Sequence, residues 1–217
     1  MARRGSGRDG SRPLRRRAAF RDPLPLVLVV CEGAVTEREY LHGFRAAYGI
    51  TTVRIEVFSP GGDPLALVEE AARRREKARR EAERTGDPNL VYDDVWCVFD
   101  VDQHARLPAA RVLAARHGIS LAVSNPCFEL WLLLHFVEHA AHTSAAQARR
   151  LLGKHLPRYD KHLAFEHVGA GYADAVRRAD ALDRHHATLG QEGENPSSGV
   201  YRLTEGIRQF GKEARLS

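Results

Sequence analysis

Short apolar runs alternate with helical patterns over the first 125 residues, and this alternation constrains the fold more than any other feature of the chain. The apolar runs lie at 24–30, 51–58, 95–100 and 119–124. The helical patterns between them lie at 36–48, 64–84 and 108–117. Strands that alternate with helices form a parallel sheet, because right-handed crossovers place the helices on its faces. The sequence therefore predicts an α/β fold, a parallel sheet of about four strands flanked by helices.

The predicted strands differ in how much of each is covered by helices. Residues 24–30 are continuously apolar, which is typical of a strand buried on both faces. Residues 51–58 alternate apolar and polar side chains, which predicts a half-exposed strand near a sheet edge. Thr36 and Glu39 have the spacing of a capping box at the start of the first helix, and Gly49 is suited to end it.

The chain after residue 125 is predicted to be helical almost throughout. Residues 126–140 carry a wide apolar face, which predicts a deeply packed helix with Pro126 in its first turn. Residues 195–198 are predicted to cap the last helix, and a contact with substrate is the alternative for them. Further helices are predicted at 144–155, 172–188 and 200–214. We expect residues 23–217 to form one domain, with an α/β core over 24–125 and a helical part over 126–217.

Positive charge is concentrated at the start of the chain. Eight arginines against Asp9 and Asp22 give residues 1–22 a formal charge of +6, which leaves −1 of the total +5 for the remainder. This segment is rich in Gly, Ser and Arg and predicts a disordered basic arm that either contacts phosphates or only keeps the chain soluble. The charged run at 73–84 predicts a solvated helix face with Glu and Arg pairs, with a groove for nucleic acid as the less favoured alternative.

The cysteines and the apolar runs indicate where the protein resides. Cys31, Cys97 and Cys127 lack CxxC spacing, which argues against a disulfide framework or a zinc knuckle and favours small buried packing groups. No apolar run approaches the ~20 residues needed to cross a bilayer. We expect a cytoplasmic protein with no membrane partner.

Carboxylates follow two of the predicted strands. Glu32 ends the first strand, Asp100 ends the third, and Asp102 projects to the same side as Asp100 if the chain stays extended. Because parallel strands end at one edge of the sheet, these groups would crowd and repel unless a cation neutralised them. Hard oxygen donors suit Mg²⁺ or Mn²⁺. The pattern favours a divalent-metal site for phosphoryl transfer, with ordinary surface carboxylates as the alternative.

These residues also carry a resemblance to known proteins. The segments "VVCEGAVTEREY" and "VFDVDQH" resemble the two acidic motifs of the Toprim domain, the catalytic unit of topoisomerases, primases and certain nucleases. The Glu-Gly-x-x-Thr-Glu form is most similar to the nuclease branch that includes the overcoming-lysogenization-defect proteins. With "SNPCFELWLLLHF" and "NPSSGVYRL" added, the chain resembles the RloB family of bacterial and archaeal proteins over roughly 26–210. Their genes are linked to restriction systems and phage abortive-infection loci.

The resemblance implies a Toprim-like sheet and a Mg²⁺- or Mn²⁺-dependent nuclease that acts on DNA or RNA in phage defence, alone or beside other defence proteins. It implies that Glu32, Asp100 and Asp102 are the catalytic metal-binding residues, with Glu32 as an alternative general acid or base. It extends metal binding to Glu37. Gln103 departs from the small Gly or Asp that many Toprim sequences carry after the DxD, so no further ligand is assigned there.

A second set of residues is predicted to contact substrate or phosphate, namely Gly33, His104, Asn125, Glu129 and Lys161. Asn125 and Glu129 flank a predicted helix start whose free backbone N–H groups could hold a phosphate at the same sheet edge. Plainer alternatives stay open. Glu129 could only complement the helix dipole, His104 could be an ordinary loop histidine, and Lys161 a surface lysine.

Other functions compete with a nuclease. The near-neutral charge of the body favours a non-catalytic partner that binds nucleic acid or a nucleotide in a defence complex. An Asp-x-Asp motif also occurs in haloacid-dehalogenase-like phosphatases, but there it follows the first strand, where this chain has Glu32. His135 and His139, with His142 nearby, permit a zinc site, although without an HExxH pattern or cysteine partners packed or surface histidines are favoured.

Overall fold

The computed structural model describes residues 24–51, 54–60, 62–101 and 106–216, and its architecture confirms the predicted α/β class. The predicted basic arm lies outside these residues. The strands are β1 (Leu26–Cys31), β2 (Arg54–Phe58), β3 (Asp94–Asp100), β4 (Ser120–Asn125) and β5 (Ser197–Ser198). The helices are α1 (Thr36–Ala47), α2 (Pro64–Thr85), α3 (Leu107–His117), α4 (Phe128–Leu134), α5 (Ala145–Leu152), α6 (Tyr172–Thr188) and α7 (Val200–Leu216).

The strands form one sheet in the order β2-β1-β3-β4-β5. The first four are parallel, as predicted, and β2 lies at an edge, which explains its alternating pattern. Beyond the predicted parallel strands, the short β5 pairs antiparallel with β4 through Ser124 and Ser198. A strand of two residues is too short to produce the periodicity that sequence patterns rely on.

Helices cover both faces of the sheet, so β1 is buried along its whole length. Val27, Val29 and Cys31 face a core that also contains residues of α1, α4, α6 and α7. Leu28 and Val30 face a second core with α2 and α3. The three cysteines are buried and free, as predicted.

The predicted capping box of α1 was wrong. The residue before the helix is Val35, which makes no side-chain cap, and Thr36 is already helical. The Thr36 hydroxyl instead donates to the carbonyl of Lys161 at 2.6 Å, and the Glu39 carboxylate accepts from the backbone N–H of Leu163 at 2.6 Å. Both side chains therefore fix a distant segment of the chain onto α1.

Two boundaries in the helical part were also wrong. Asn125 continues β4, the Asn125–Pro126 peptide is cis, and α4 begins only at Phe128 and ends at Leu134. Residues 195–198 contain a second cis proline and β5, so they do not cap α7. Pairing of Asn125 with Ser197 keeps both segments extended. The deep packing predicted for α4 is confirmed, because all seven of its residues are buried.

The charged run in α2 forms the solvated face that the sequence predicts. Glu76 accepts from Arg79 at 2.9 Å and from Arg80 at 2.6 Å, which are the expected pairs three and four residues apart. Across the described part of the chain, no helix combines the length and apolar character that a membrane span requires.

Candidate functional site

Glu32 and Asp100 meet at the carboxyl edge of the sheet, the edge at which β1, β3 and β4 end. The backbone N–H of Glu32 donates to Val98 at 2.9 Å, which continues the pairing of β1 with β3. The backbone N–H of Asp100 donates to the Glu32 carboxylate at 3.3 Å. The structure thus brings these two residues together as the sequence suggested. Asp102 and His104 lie outside the described residues, and their roles stay predictions.

Glu37 joins this edge from the first turn of α1, where its side chain is buried. A Cβ atom placed on Gly33 would lie 2.0 Å from Oε2 of Glu37. This is far closer than two such atoms can approach, so a larger residue at this position would displace the Glu37 carboxylate from where it lies. Gly33 therefore has a steric role in the site, whether or not it also contacts a substrate.

Glu129 approaches the same edge from α4 and is also buried. Its Oε1 accepts from Nε of Arg149 at 3.1 Å and lies 3.4 Å from the hydroxyl of Tyr159. Four carboxylates therefore converge, and we call them the acidic cluster: Glu32, Glu37, Asp100 and Glu129.

The acidic cluster strongly perturbs two of its members. Burial raises the pKa of Asp100 well above its usual value, and the nearby charges of Glu37, Glu129 and Glu32 raise it further. The backbone N–H of Phe128 opposes this rise in the pKa of Asp100. Burial is also the main reason that the pKa of Glu37 is raised. Ionising both groups is costly unless positive charge is added, so the cluster favours a cation.

The segment after α5 supplies the neutral and basic groups around the cluster. The Tyr159 hydroxyl lies 3.1 Å from that of Thr36, which also holds the carbonyl of Lys161. Lys161 adopts a left-handed backbone with φ of 80°. Its side chain is exposed, yet its charge offsets part of the rise in the pKa of Glu37 that burial causes. The structure thus places Lys161 at the site as well as at the surface.

Arg149 and Tyr159 were missed by sequence reasoning. Tyr159 stands two residues before Lys161 in "RYDKH", so the motif that pointed to the lysine could have pointed to it. Nothing separates Arg149 from the many other arginines, because its partner Glu129 is 20 residues away in sequence. Its role depends on how α4 and α5 pack.

Asn125 is engaged within the protein. Its side-chain amide donates to the carbonyl of Gly193 at 3.0 Å, and its oxygen accepts from Asn195 at 3.2 Å. The N–H of Phe128 at the start of α4 is directed to Asp100. The groups that the sequence suggested for holding a phosphate thus have partners in the fold, and that role for Asn125 stays a prediction.

The acidic cluster matches a hard divalent cation in the chemistry of its donors, since carboxylate oxygens are the ligands that Mg²⁺ and Mn²⁺ prefer. Among the residues that the structure describes, no three His, Cys, Asp or Glu side chains are arranged as a ready metal site. Asp102, the third predicted ligand, follows Val101 and is not among the residues that the structure describes, so this result does not include it. The same result leaves the zinc hypothesis for His135 and His139 without support in the described residues.

His135 is a packed histidine. Its ring lies 3.1 Å from the Tyr40 hydroxyl through Nε2 and 2.9 Å from the Trp131 carbonyl through Nδ1. Burial, assisted by the charge of Arg178, lowers the pKa of His135 to about 4. The folded protein therefore resists protonation of this ring.

The stability of the protein is expected to depend on pH through His135. The unfolded chain binds a proton near pH 6.5 and the folded chain only near 4, so the free energy of unfolding falls as the pH is lowered between these values, by roughly 3 kcal/mol at most. Urea unfolding from pH 8 to 5 measures it. His135→Gln should be less stable than wild type at pH 8, and the difference in the free energy of unfolding between the two proteins should narrow toward pH 5. The free energy of unfolding of the exposed control His117→Gln should change with pH as that of wild type does. A constant difference for His135→Gln would contradict the assignment.

Fold and site together define an α/β protein with a mostly parallel five-stranded sheet whose carboxyl edge carries a partly buried acidic cluster. The family model for RloB-like proteins matches residues 27–207, so the chain belongs to the RloB-like family. Searches of curated proteins and of solved structures each gave no significant match.

Proposed function

We propose that this protein is a divalent-metal-dependent phosphodiesterase that cleaves nucleic acid, in the setting of phage defence. The observation that carries the proposal is the acidic cluster, in which Glu32 and Asp100 meet at the carboxyl edge of adjacent parallel strands. Ligands and chemistry in open α/β folds gather at that edge. The resemblance of these motifs to those of Toprim nucleases supports the cleavage chemistry, and membership of the RloB-like family supports the setting of phage defence.

In this proposal, each residue of the site has a distinct role. Glu32, Asp100 and Asp102 would hold Mg²⁺ or Mn²⁺, with Glu37 as a further oxygen donor. When bound, such an ion supplies a water of lowered pKa and neutralises charge on the phosphate. Glu32 can alternatively accept a proton from the attacking water. Arg149 and Tyr159 hold Glu129 in place, and Lys161 adds positive charge beside Glu37.

A cleavage assay on mixed DNA and RNA, with and without Mg²⁺ or Mn²⁺, tests the proposal directly. Metal binding can be followed separately by thermal unfolding, because a ligand that binds only the folded state raises Tm. We expect either ion to raise the Tm of the wild-type protein and to enable cleavage. Cleavage that proceeds equally in a chelator would contradict the metal-dependent mechanism.

Gly33→Ala should damage the site without unfolding the protein. The new methyl group would meet the end of the Glu37 side chain, which can move, and no backbone atom lies closer. We expect the Tm to change little, while metal affinity and cleavage fall by about 10- to 100-fold, the range seen when groups that orient metal ligands are lost.

Gly206→Ala is the matched control for Gly33→Ala. A Cβ atom at Gly206 in α7 would have its nearest neighbour, in the ring of Trp96, 4.0 Å away. This variant should bind metal and cleave like wild type. Full activity in Gly33→Ala would show that the position of Glu37 does not matter for the reaction.

A further inference from the structure

A groove of about 770 Å³ is lined in part by Tyr159, whose hydroxyl contacts Glu129 of the acidic cluster. Its walls are formed by residues of the segment 155–167, which follows α5, and by Glu39 of α1. This volume is within the range of about 300–1,000 Å³ that is usual for sites binding small molecules or parts of larger ones. The mechanism proposed above leaves the groove without a role.

The flat rings of His155, Tyr159, His162 and His167 contribute to the lining of the groove. The exposed Arg158 adds a positive charge to a lining that also contains the carboxylates of Glu39 and Asp160. His155 is stacked on Phe136 with ring centres 4.9 Å apart, and His162 is paired with Glu39 at 2.9 Å, so both imidazoles are braced by the fold. Rings combined with cations are what proteins use to bind single-stranded nucleic acid without sequence preference.

One side chain, that of Tyr159, contacts both the groove and the acidic cluster. The ring of Tyr159 lines the groove, while its hydroxyl contacts Glu129 of the cluster and Thr36 at the start of α1. A nucleotide in the groove would therefore have its neighbouring phosphate close to the carboxylates. Because Tyr159 connects the two, we infer that a single polymeric substrate contacts both the groove and the acidic cluster.

We propose that the groove binds unpaired bases of a single-stranded nucleic acid whose neighbouring phosphodiester lies at the acidic cluster. The proposal rests on the proposed function for the identity of that phosphodiester. A single strand is favoured over a duplex because its bases expose flat faces that rings can cover, whereas the bases of a duplex are already stacked on each other.

Fluorescence anisotropy with labelled single-stranded and duplex oligonucleotides tests the proposal on the full chain. A chelator prevents metal-dependent cleavage, and physiological salt limits the non-specific contribution of the basic arm. We expect the single strand to bind more tightly than the duplex. His155→Ala and Arg158→Ala should each weaken single-strand binding about 5- to 100-fold, the range for loss of one base-stacking contact.

Arg116→Ala is the matched control for Arg158→Ala, because it removes an exposed arginine from the last turn of α3, which packs on the other face of the sheet. It should bind within about twofold of wild type. Circular dichroism and Tm for each variant establish that the fold is kept. If His155→Ala has lost stability with its stacking partner, His167→Ala replaces it as the ring-deleting variant.

The outcomes separate this proposal from the proposed function. Unchanged single-strand binding in the groove variants overturns the proposal, even if cleavage depends on Asp100. The groove would then bind a protein or another kind of partner. Equal binding of single strand and duplex also overturns it. Weakened binding in the groove variants, with no cleavage by any form of the protein, supports single-strand binding in the groove and contradicts the nuclease function.

Discussion

Asp100→Asn is expected to abolish metal-dependent cleavage and, at the same time, to raise the Tm of the metal-free protein. Asparagine keeps the shape of the side chain and can still accept from the N–H of Phe128, but it removes an ionisable group whose charged form is disfavoured by burial and by Glu37, Glu129 and Glu32. Loss of one group that stabilises a charged transition state commonly costs about 10²–10³-fold in rate, and we expect a loss at least this large.

The gain in stability should depend on pH. Because the pKa of Asp100 is raised in the folded protein, the folded state binds a proton more tightly than the unfolded chain does. Wild-type stability therefore falls as the pH rises above about 4, the usual pKa of an unfolded aspartate, and the variant lacks this contribution. The difference in Tm between the two proteins should be small at pH 4 and larger at pH 7 and 8. Thermal unfolding across this range measures it.

Glu69→Gln provides the control for charge removal, since Glu69 is exposed on α2, away from the acidic cluster. It should leave cleavage and its metal dependence unchanged, and alter the Tm little. Wild-type cleavage by Asp100→Asn would remove the catalytic assignment of this residue. Nucleic-acid binding with no cleavage in either wild type or Asp100→Asn would instead favour the non-catalytic binding partner.

Gly171→Ala should be among the most destabilising single substitutions in the chain. A Cβ atom at Gly171 would lie 2.0 Å from the carbonyl oxygen of His135 and 2.8 Å from its carbonyl carbon. These are backbone atoms at the end of the buried helix α4, so α4 and α6 must separate to admit the methyl group. We expect a loss of about 3 kcal/mol in the free energy of unfolding, and roughly 6–12 °C in Tm.

Gly153→Ala makes the same chemical change in a place with room for it. Gly153 follows α5 with φ of −59° and ψ of −19°, which alanine adopts readily. Its new Cβ would meet no atom closer than 3.5 Å. Urea unfolding should show this variant to be as stable as wild type or more stable by about 0.4–1 kcal/mol. Similar stabilities for Gly171→Ala and Gly153→Ala would mean that the backbone at His135 can move away from the new methyl group at little cost in free energy.

Local patterns in the sequence predicted the strands and helices of the α/β core because burial on two faces and helical periodicity are visible over a few residues. Capping was less predictable. Thr36 and Glu39 have the right spacing for a local box, but the structure uses both to hold the segment near Lys161 and Leu163. Side chains that can bond locally can equally bond to distant backbone, and only tertiary packing selects between the two.

The sequence by itself determined that Glu32 and Asp100 would meet, because each ends a strand and parallel strands end at one edge. Only the tertiary structure decided that Arg149 and Tyr159 contact Glu129 of the acidic cluster and that Tyr159 links the cluster to the groove. Their partners lie tens of residues away, as with Thr36 and Tyr159, which are 123 residues apart. The helices and the segment after α5 must pack before such groups become neighbours, and no local pattern in the chain records that packing.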